Sequence, residues 1–390
     1  MIVSRASGIP RTIFEPEHAT LREAARRFCE REIAPFHGAW EDEGVVPRAI
    51  WRRAGELGFL CMTLPVEYGG AGADFRASVV LTEELARIGA SGPGFALQSD
   101  IVAPYILHYG SEEQKRRWLP RLAAGEIVGA IAMSEPGTGS DLAAVATRAR
   151  RVDGGWAIDG SKTFITNGVL ADLVIVVATT DPSAGNRGIA LFLVERGMPG
   201  FGGGRPLKKV GLKAQDTAEL AFDDVRVGEN AVLGGIGAGF AMLMSELAQE
   251  RLSIAVTAVA AAETALQQTI AYCAQREAFG KRILDFQNTR FTLAGLTAKV
   301  TIARVFVDRC IELHCQGELD ATTAAMAKLE TTELQFQVAD ECVQLHGGYG
   351  YMLEYPIARA WADGRVQRIY GGSNEIMREI IGRSLEGPRR

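Results

Sequence analysis

The stretch Ala130–Leu142, AIAMSEPGTGSDL, marks the point where the rhythm of the chain changes. Before it, apolar residues recur every three or four positions, the period of helices. After it come short runs of β-branched and aromatic residues separated by Gly and Asp, the pattern of strands. The glycines of the stretch let backbone N–H groups approach a ligand closely. Ser134, Thr138 and Ser140 add hydroxyls that suit an electron-rich ring edge or a phosphate. A tight turn between domains accounts for the same residues equally well.

Working outward toward the N-terminus, Leu21, Ala25, Phe28 and Ile33 define one helical face, which Pro35 closes. Ser111-Glu-Glu-Gln114 has the form of a capping box and predicts a helix carrying Trp118, Leu119 and Leu122. Between them, TLPVEYGGAGAD at 63–74 is a loop, either a pocket rim or a plain connector. A second pocket-lining segment is expected in 92–106, with Phe95, Leu97 and Ile101.

Toward the C-terminus, Asp153-Gly154-Gly155 joins 148–152 to 156–159 as a hairpin, with further strands at 173–178, 189–194 and 218–222. The Gly-rich GMPGFGGG at 197–204 lacks the Lys-Ser/Thr ending of a phosphate loop and is expected to be a flexible turn between strands. Gly235-Ile-Gly237-Ala-Gly239 resembles half a dinucleotide fingerprint, but no βαβ unit surrounds it and no acid follows at the required distance. From Gly239 the period is helical through 274, 285–316 and 318–346. The expected fold is therefore multidomain: an N-terminal helical domain (1–128), a middle β-barrel or sandwich (129–235) and a C-terminal helical bundle (236–390).

A length of 390 residues suits two or three cores, and 47% hydrophobic with 23% charged residues is ordinary globular composition. The net charge of −5, with Arg and Lys interleaved among acids, offers no basic patch for nucleic acid. Six scattered cysteines without a C-x-x-C pair read as reduced thiols of a cytoplasmic protein, and no metal site is expected. The first ten residues lack the apolar core of a secretory signal, and no apolar run is long enough to span a membrane.

One charge pair stands apart. In GFAMLMSELAQERLSI at 239–254, helical spacing puts Glu250 on an apolar stripe with Leu243, Glu246, Leu247, Ile254 and Thr257. Desolvation raises a carboxyl's pKa while the neighbouring Arg251 pulls it down, so Glu250 is a candidate general base. A structural ion pair fits the same residues.

Four further stretches follow Ala130–Leu142 in order: GSKTFITNG at 160–168, REAFGKRILDFQ at 276–287, QLHGGYGY at 344–351 and RIYGGSNEIM at 368–377. With the α, β, α layout, the chain from about Glu17 to Ile381 resembles the acyl-CoA dehydrogenase family of FAD enzymes, and most closely its long-chain branch. The resemblance implies that Ile131, Met133, Ser134, Thr138, Gly139, Ser140, Phe164, Ile165 and Thr166 hold the flavin. It implies that Arg276, Phe279, Phe286, Gln287, Gln344, Leu345, His346, Gly347 and Gly348 meet the FAD diphosphate and adenine across a subunit interface, with Ser373, Asn374 and Glu375 as further contacts. His346 taken alone reads as structural. Ser140, Leu247, Arg251, Tyr370 and Gly372 would meet the substrate.

Many relatives carry the catalytic glutamate directly after the Ile-Tyr of the last stretch, where this chain has Gly371. In the long-chain and isovaleryl branches the base comes instead from a Glu-Arg pair, here Glu250-Arg251, and the Gly371 N–H helps to polarise the thioester carbonyl. Ala362 replaces an Arg common in other branches. The implied reaction is α,β-dehydrogenation of an acyl-CoA by a homotetramer or dimer, with an electron-transfer flavoprotein as acceptor. The alternatives are an oxidase or monooxygenase of the same fold, or a silent flavin- or acyl-CoA-binding module.

Overall fold

The computed structural model describes residues 9–386. The expectation of no secretory signal falls largely on residues 1–8, outside the described residues.

Helices α1 (Pro16–Phe28), α2 (His37–Glu43), α3 (Arg48–Glu56), α4 (Phe75–Arg87), α5 (Ala103–Tyr109) and α6 (Glu112–Ala123) form the first layer. Helix α6 opens as its sequence predicts: Ser111 Oγ accepts the Gln114 N–H at 3.2 Å, and Gln114 Oε1 accepts the Ser111 N–H at 2.8 Å. Two π-helical turns interrupt the layer, Cys29–Ile33 before Pro35 and Leu97–Val102 before α5. The second widens the helix so that Leu97 and Ile101 line a cavity. Phe95 instead packs edge-on against Trp51 in the core, 1% exposed, correcting its expected place in a pocket. The 63–74 loop likewise lies away from this cavity and meets only a minor one, through Thr63, Leu64 and Asp74.

The middle part is one sheet of eight strands: β1 (Gly129–Ala132), β2 (Arg148–Val152), β3 (Gly155–Thr166), β4 (Leu173–Thr179), β5 (Ile189–Glu195), β6 (Phe201–Pro206), β7 (Thr217–Gly228) and β8 (Val232–Leu233). The spatial order is β6-β7-β3-β2-β4-β5-β8, with β1 alongside β4 in parallel register, Gly129 opposite Leu173. The predicted hairpin pairs Val152 with Gly155. The Gly-rich stretch is not wholly a turn, because Phe201–Pro206 forms the edge strand β6 against β7. Main-chain pairing needs no side chain, and at Gly203 (φ +107) a Cβ would meet Glu219 O at 2.6 Å, so glycine is what lets the strand bulge there.

The last part is built around α7 (Gly239–Gln275), which packs on α4, on α8 (Gln287–Cys315) and on α9 (Ala321–His346). Burial on several sides explains its small residues: Ala255, Ala258, Ala262 and Ala265 let neighbouring backbones come close. A short hairpin of β9 (Glu277–Ala278) and β10 (Lys281–Arg282) links α7 to α8; α10 (Pro356–Gly364) and α11 (Asn374–Ser384) complete the chain. The two helical parts are clamped by a buried charge cluster in which Arg304 of α8 meets Glu83 of α4 at 2.9 Å and Glu263 of α7 at 2.6 Å. Arg11 and Arg22 close on the same Glu83. Among the described residues no helix is long and apolar enough to cross a membrane.

Candidate active site

Helix α4, the π turn before α5, β1, β3, α7 and the 370–372 loop enclose a cavity of about 840 Å³, within the usual range for a cofactor or substrate site. One wall is the β1–β2 connection and β3: Ile131, Met133, Ser134, Gly139 and Ser140 line it with Phe164, Ile165 and Thr166. The opposite wall carries Leu247, Glu250, Arg251 and Ile254 of α7 with Tyr370, Gly371 and Gly372.

The first wall is fixed by a buried pair that sequence reasoning missed. Lys162 Nζ donates to Met133 O at 3.0 Å and to Glu135 Oε1 at 2.8 Å, while the Glu135 carboxylate accepts the N–H groups of Ala146 and Thr147 at 2.7 and 2.9 Å. Burial lowers the Lys162 pKa to about 8, but the adjacent carboxylate opposes the shift. The registers of β3 and β7 slip between Lys162 and Ile165, and within that slip Phe164 takes φ +59, unusual for a bulky residue. The distortion leaves the Phe164 ring 70% exposed beside the cavity, a flat apolar surface suited to a planar ring. Thr138 does not join this wall, since its hydroxyl is spent on Ala144 O at 3.0 Å, closing the turn.

On the second wall, the α7 stripe predicted from spacing divides. Leu247, Glu250, Ile254 and Thr257 line the cavity. Leu243 is in the core, and Glu246 lies 2.8 Å from His108 of α5. The partner of Glu250 is Tyr105 rather than Arg251: the Tyr105 hydroxyl donates to Glu250 Oε1 at 3.0 Å. Burial lifts the Glu250 pKa from 4.5 to about 7; Tyr105 and Arg251 oppose the rise and the Glu246 charge adds to it. Arg251 also lines the cavity and is buried, with its Nε lacking a hydrogen-bond partner.

The 371–372 turn is held from below. Gly371 and Gly372 take φ +63 and +89. Lys328 of α9, fully buried, donates from Nζ to Gly372 O and to Asn374 Oδ1, each at 2.8 Å. Asn374 is thus committed to structure, bonding Thr332 as well, and Ser373 caps α11 by accepting the Ile376 N–H. Glu375, one residue on, also lies off the cavity lining.

The remaining sequence candidates gather elsewhere. Arg276, Phe279, Phe286 and Gln287 lie around the β9–β10 hairpin, and Gln344, Leu345, His346, Gly347 and Gly348 at the end of α9, outside the cavity. Arg276 sits over the Tyr349 ring at 5.6 Å, which brings the two groups together, and Phe279 is 96% exposed. The His346 ring stacks on Tyr272 at 4.2 Å and its Nδ1 lies 2.8 Å from Cys342 O, so the ring itself is held within the fold.

Three contiguous domain families match the chain: the acyl-CoA dehydrogenase N-terminal domain over residues 15–126, the middle domain over 130–225 and the C-terminal domain over 237–386. The chain belongs to the acyl-CoA dehydrogenase family. It is 51% identical to the mouse protein named long-chain specific acyl-CoA dehydrogenase, mitochondrial, over 96% of this chain and 88% of that one. The crystal structure of an acyl-CoA dehydrogenase from Geobacillus kaustophilus superposes with a TM-score of 0.95 at 49% identity, covering 97% of this chain and all of that one (100%). A glutaryl-CoA dehydrogenase from Mycobacterium smegmatis, in complex with FADH2, superposes at 0.90 with 32% identity, over 97% and 96% of the two chains. As a member of the family the chain is an FAD-dependent oxidoreductase. The cavity fits that cofactor: it has the volume, the exposed Phe164 ring on one wall and an unpartnered buried Arg251 donor on the other.

Proposed function

We propose that the chain dehydrogenates a fatty acyl-CoA thioester between its α and β carbons, with Glu250 as the base that takes the α proton. The observation that carries this reading is the Glu250 carboxyl, buried on the cavity wall where burial pushes its pKa up to about 7, while the alternative base position is Gly371. A base is most effective when its pKa lies near the working pH. Bound FAD supplies the hydride acceptor at its N5. The protein does the rest: Met133, Ser134 and Phe164–Thr166 orient the ring, and the Gly371 N–H meets the thioester oxygen as enolate charge develops. Leu247, Arg251, Tyr370 and Gly372 bound the acyl group, and Ser140 meets the CoA side.

Outside the cavity, Arg276, Phe279, Gln287 and the 344–348 segment hold the FAD diphosphate and adenine of a second copy. The exposed apolar side chains of this part, Phe279, Phe291, Ile302 and Tyr351, support burial against such a copy, in a homotetramer or dimer. Electrons leave to an electron-transfer flavoprotein, in the cytoplasm.

The test is anaerobic flavin bleaching by acyl-CoA esters of graded chain length. Glu250→Gln retains FAD and acyl-CoA and loses about 10²- to 10⁴-fold in rate. Bleaching at the wild-type rate overturns the assignment, and a wild-type holoenzyme that no ester bleaches points to a silent binding module. Peroxide released in place of transfer to an electron-transfer flavoprotein marks an oxidase.

A further inference from the structure

Helix α5 offers two side chains, one turn apart, to two carboxylates of α7 that are also one turn apart. The Tyr105 hydroxyl donates to Glu250 Oε1 at 3.0 Å, and His108 Nδ1 lies 2.8 Å from Glu246 Oε1. Tyr105 is fully buried, whereas the His108 side chain is half-exposed. A buried tyrosine hydroxyl spent on a buried carboxylate is a costly arrangement unless both are satisfied, and here each satisfies the other.

We propose that Tyr105 is a positioning residue for Glu250: its hydroxyl ties one carboxylate oxygen, directs the other toward the cavity, and stabilises the carboxylate through that hydrogen bond. The proposal rests on the reading of Glu250 as the base. The geometry supplies the reason. Glu250 reaches the cavity from a helix whose own face would let the carboxyl rotate, and a donor from a second element removes that freedom.

The charged and titratable groups around Glu250 come from four elements. On α7 itself, Glu246 opposes its ionisation and Arg251 favours it. From α5, Tyr105 stabilises the carboxylate, while His108 and Tyr109 engage Glu246. His314 of α8 is half-buried and feels Glu246, and Lys328 of α9 feels Arg251. Of these, the Tyr105 hydroxyl is the one hydrogen-bonded to the Glu250 carboxylate. Its removal leaves desolvation and the Glu246 charge less opposed, so the proton is held more tightly.

The experiment uses the Tyr105→Phe holoenzyme, which keeps the ring and deletes only the oxygen. Anaerobic bleaching by a saturating acyl-CoA is followed across pH, with acyl-CoA affinity measured separately. The expected result is a half-rate pH raised by about one unit, the order of effect of one hydrogen bond to a charged group. The rate at pH 7 then falls several-fold, and acyl-CoA affinity is unchanged. An infrared titration without substrate gives an independent readout: the carboxylic-acid band that Glu250→Gln abolishes should shift its midpoint upward in Tyr105→Phe. In a Glu250→Asp background, where the shorter side chain leaves the hydroxyl, Tyr105→Phe should add nothing.

A pH profile and band titration that superimpose on wild type overturn the proposal, as does a uniform fall in rate with the midpoint unmoved or an additive shift in the Asp background. If Glu250→Gln bleaches at full rate, it is the base assignment that fails. If Glu250→Gln is dead while Tyr105→Phe keeps the wild-type midpoint, Tyr105 alone is excluded.

Discussion

The Cδ1 atom of Ile254 occupies the space that a side chain at Gly371 would need. A Cβ built on Gly371 lies 2.3 Å from it, on a backbone with φ +63. The 371 turn and the Glu250 face of α7 are therefore fitted to each other, since Ile254 follows Glu250 by one turn on the same wall.

Gly371→Ala should thus cost stability and activity together. The left-handed backbone contributes about 1 kcal/mol, and the clash, with a terminal methyl that borders the cavity, adds the low end of overpacking, about 1 kcal/mol. Ile254→Val removes the colliding Cδ1, the next atom, Cγ1, being 3.8 Å away. Denaturant unfolding of the two single variants and the double variant should show Ile254→Val recovering the steric part and leaving the backbone part. Strict additivity would contradict the contact.

With Glu250 as the proposed base, flavin reduction should climb with pH and level off above about 7, because a general base acts only when deprotonated. Stability runs the other way. Its folded pKa is raised above the ordinary 4.5, so folding favours the neutral carboxyl, and stability is lost as pH rises from about 4.5 through about 7. Glu250→Gln should accordingly melt higher than wild type at pH 8, with the difference vanishing near pH 4. Melting curves at the two pH values check this; a variant destabilised at pH 8 would show that Glu250 is compensated in the fold.

Lys328→Met should strip the donor from two acceptors, the partly buried Gly372 O and the buried Asn374 Oδ1. Each unsatisfied group costs about 1–3 kcal/mol. The loss should appear as lower stability in urea and a lower bleaching rate, with acyl-CoA affinity less affected, because the 371 turn loses its support. A variant with full rate and lowered stability would confine Lys328 to folding.

The Glu83 cluster should govern acid stability. Burial pushes the Glu83 pKa up, but Arg304, Arg11 and Arg22 together hold it below the usual value. A depressed carboxyl contributes stability above its unfolded pKa and loses it as pH falls through the folded value. Arg304→Met should cost less than the about 3–5 kcal/mol of an uncompensated buried charge, because Arg11 and Arg22 still face Glu83 and Glu263 is partly exposed. It should also move the onset of acid unfolding to higher pH, which a circular-dichroism titration would detect.

Much of the fold is local and was open to sequence reasoning. The Ser111 capping box, the Asp153-Gly154 hairpin and the periodicity from Gly239 each depend on residues within a few positions of one another, and each forms as its spacing demands. Where sequence expectation failed, a distant partner intervened. The 197–204 glycines became an edge strand because β7 offers free main-chain groups, and Phe95 turned to the core because Trp51 is there.

The site divides in the same way. The sequence by itself determined the family, the cavity stretch around Met133 and Phe164, and Glu250 as an acid on a buried helix face, since these follow from motif order and helical period. Only the tertiary structure decided what Glu250 can do. Its raised pKa comes from burial, its hydrogen bond from Tyr105, 145 positions earlier, and the neighbouring Glu246 carboxylate is drawn to His108, one turn along the same helix α5. Desolvation and hydrogen-bond geometry are properties of surroundings, and the surroundings of Glu250 are assembled from segments that no local pattern connects.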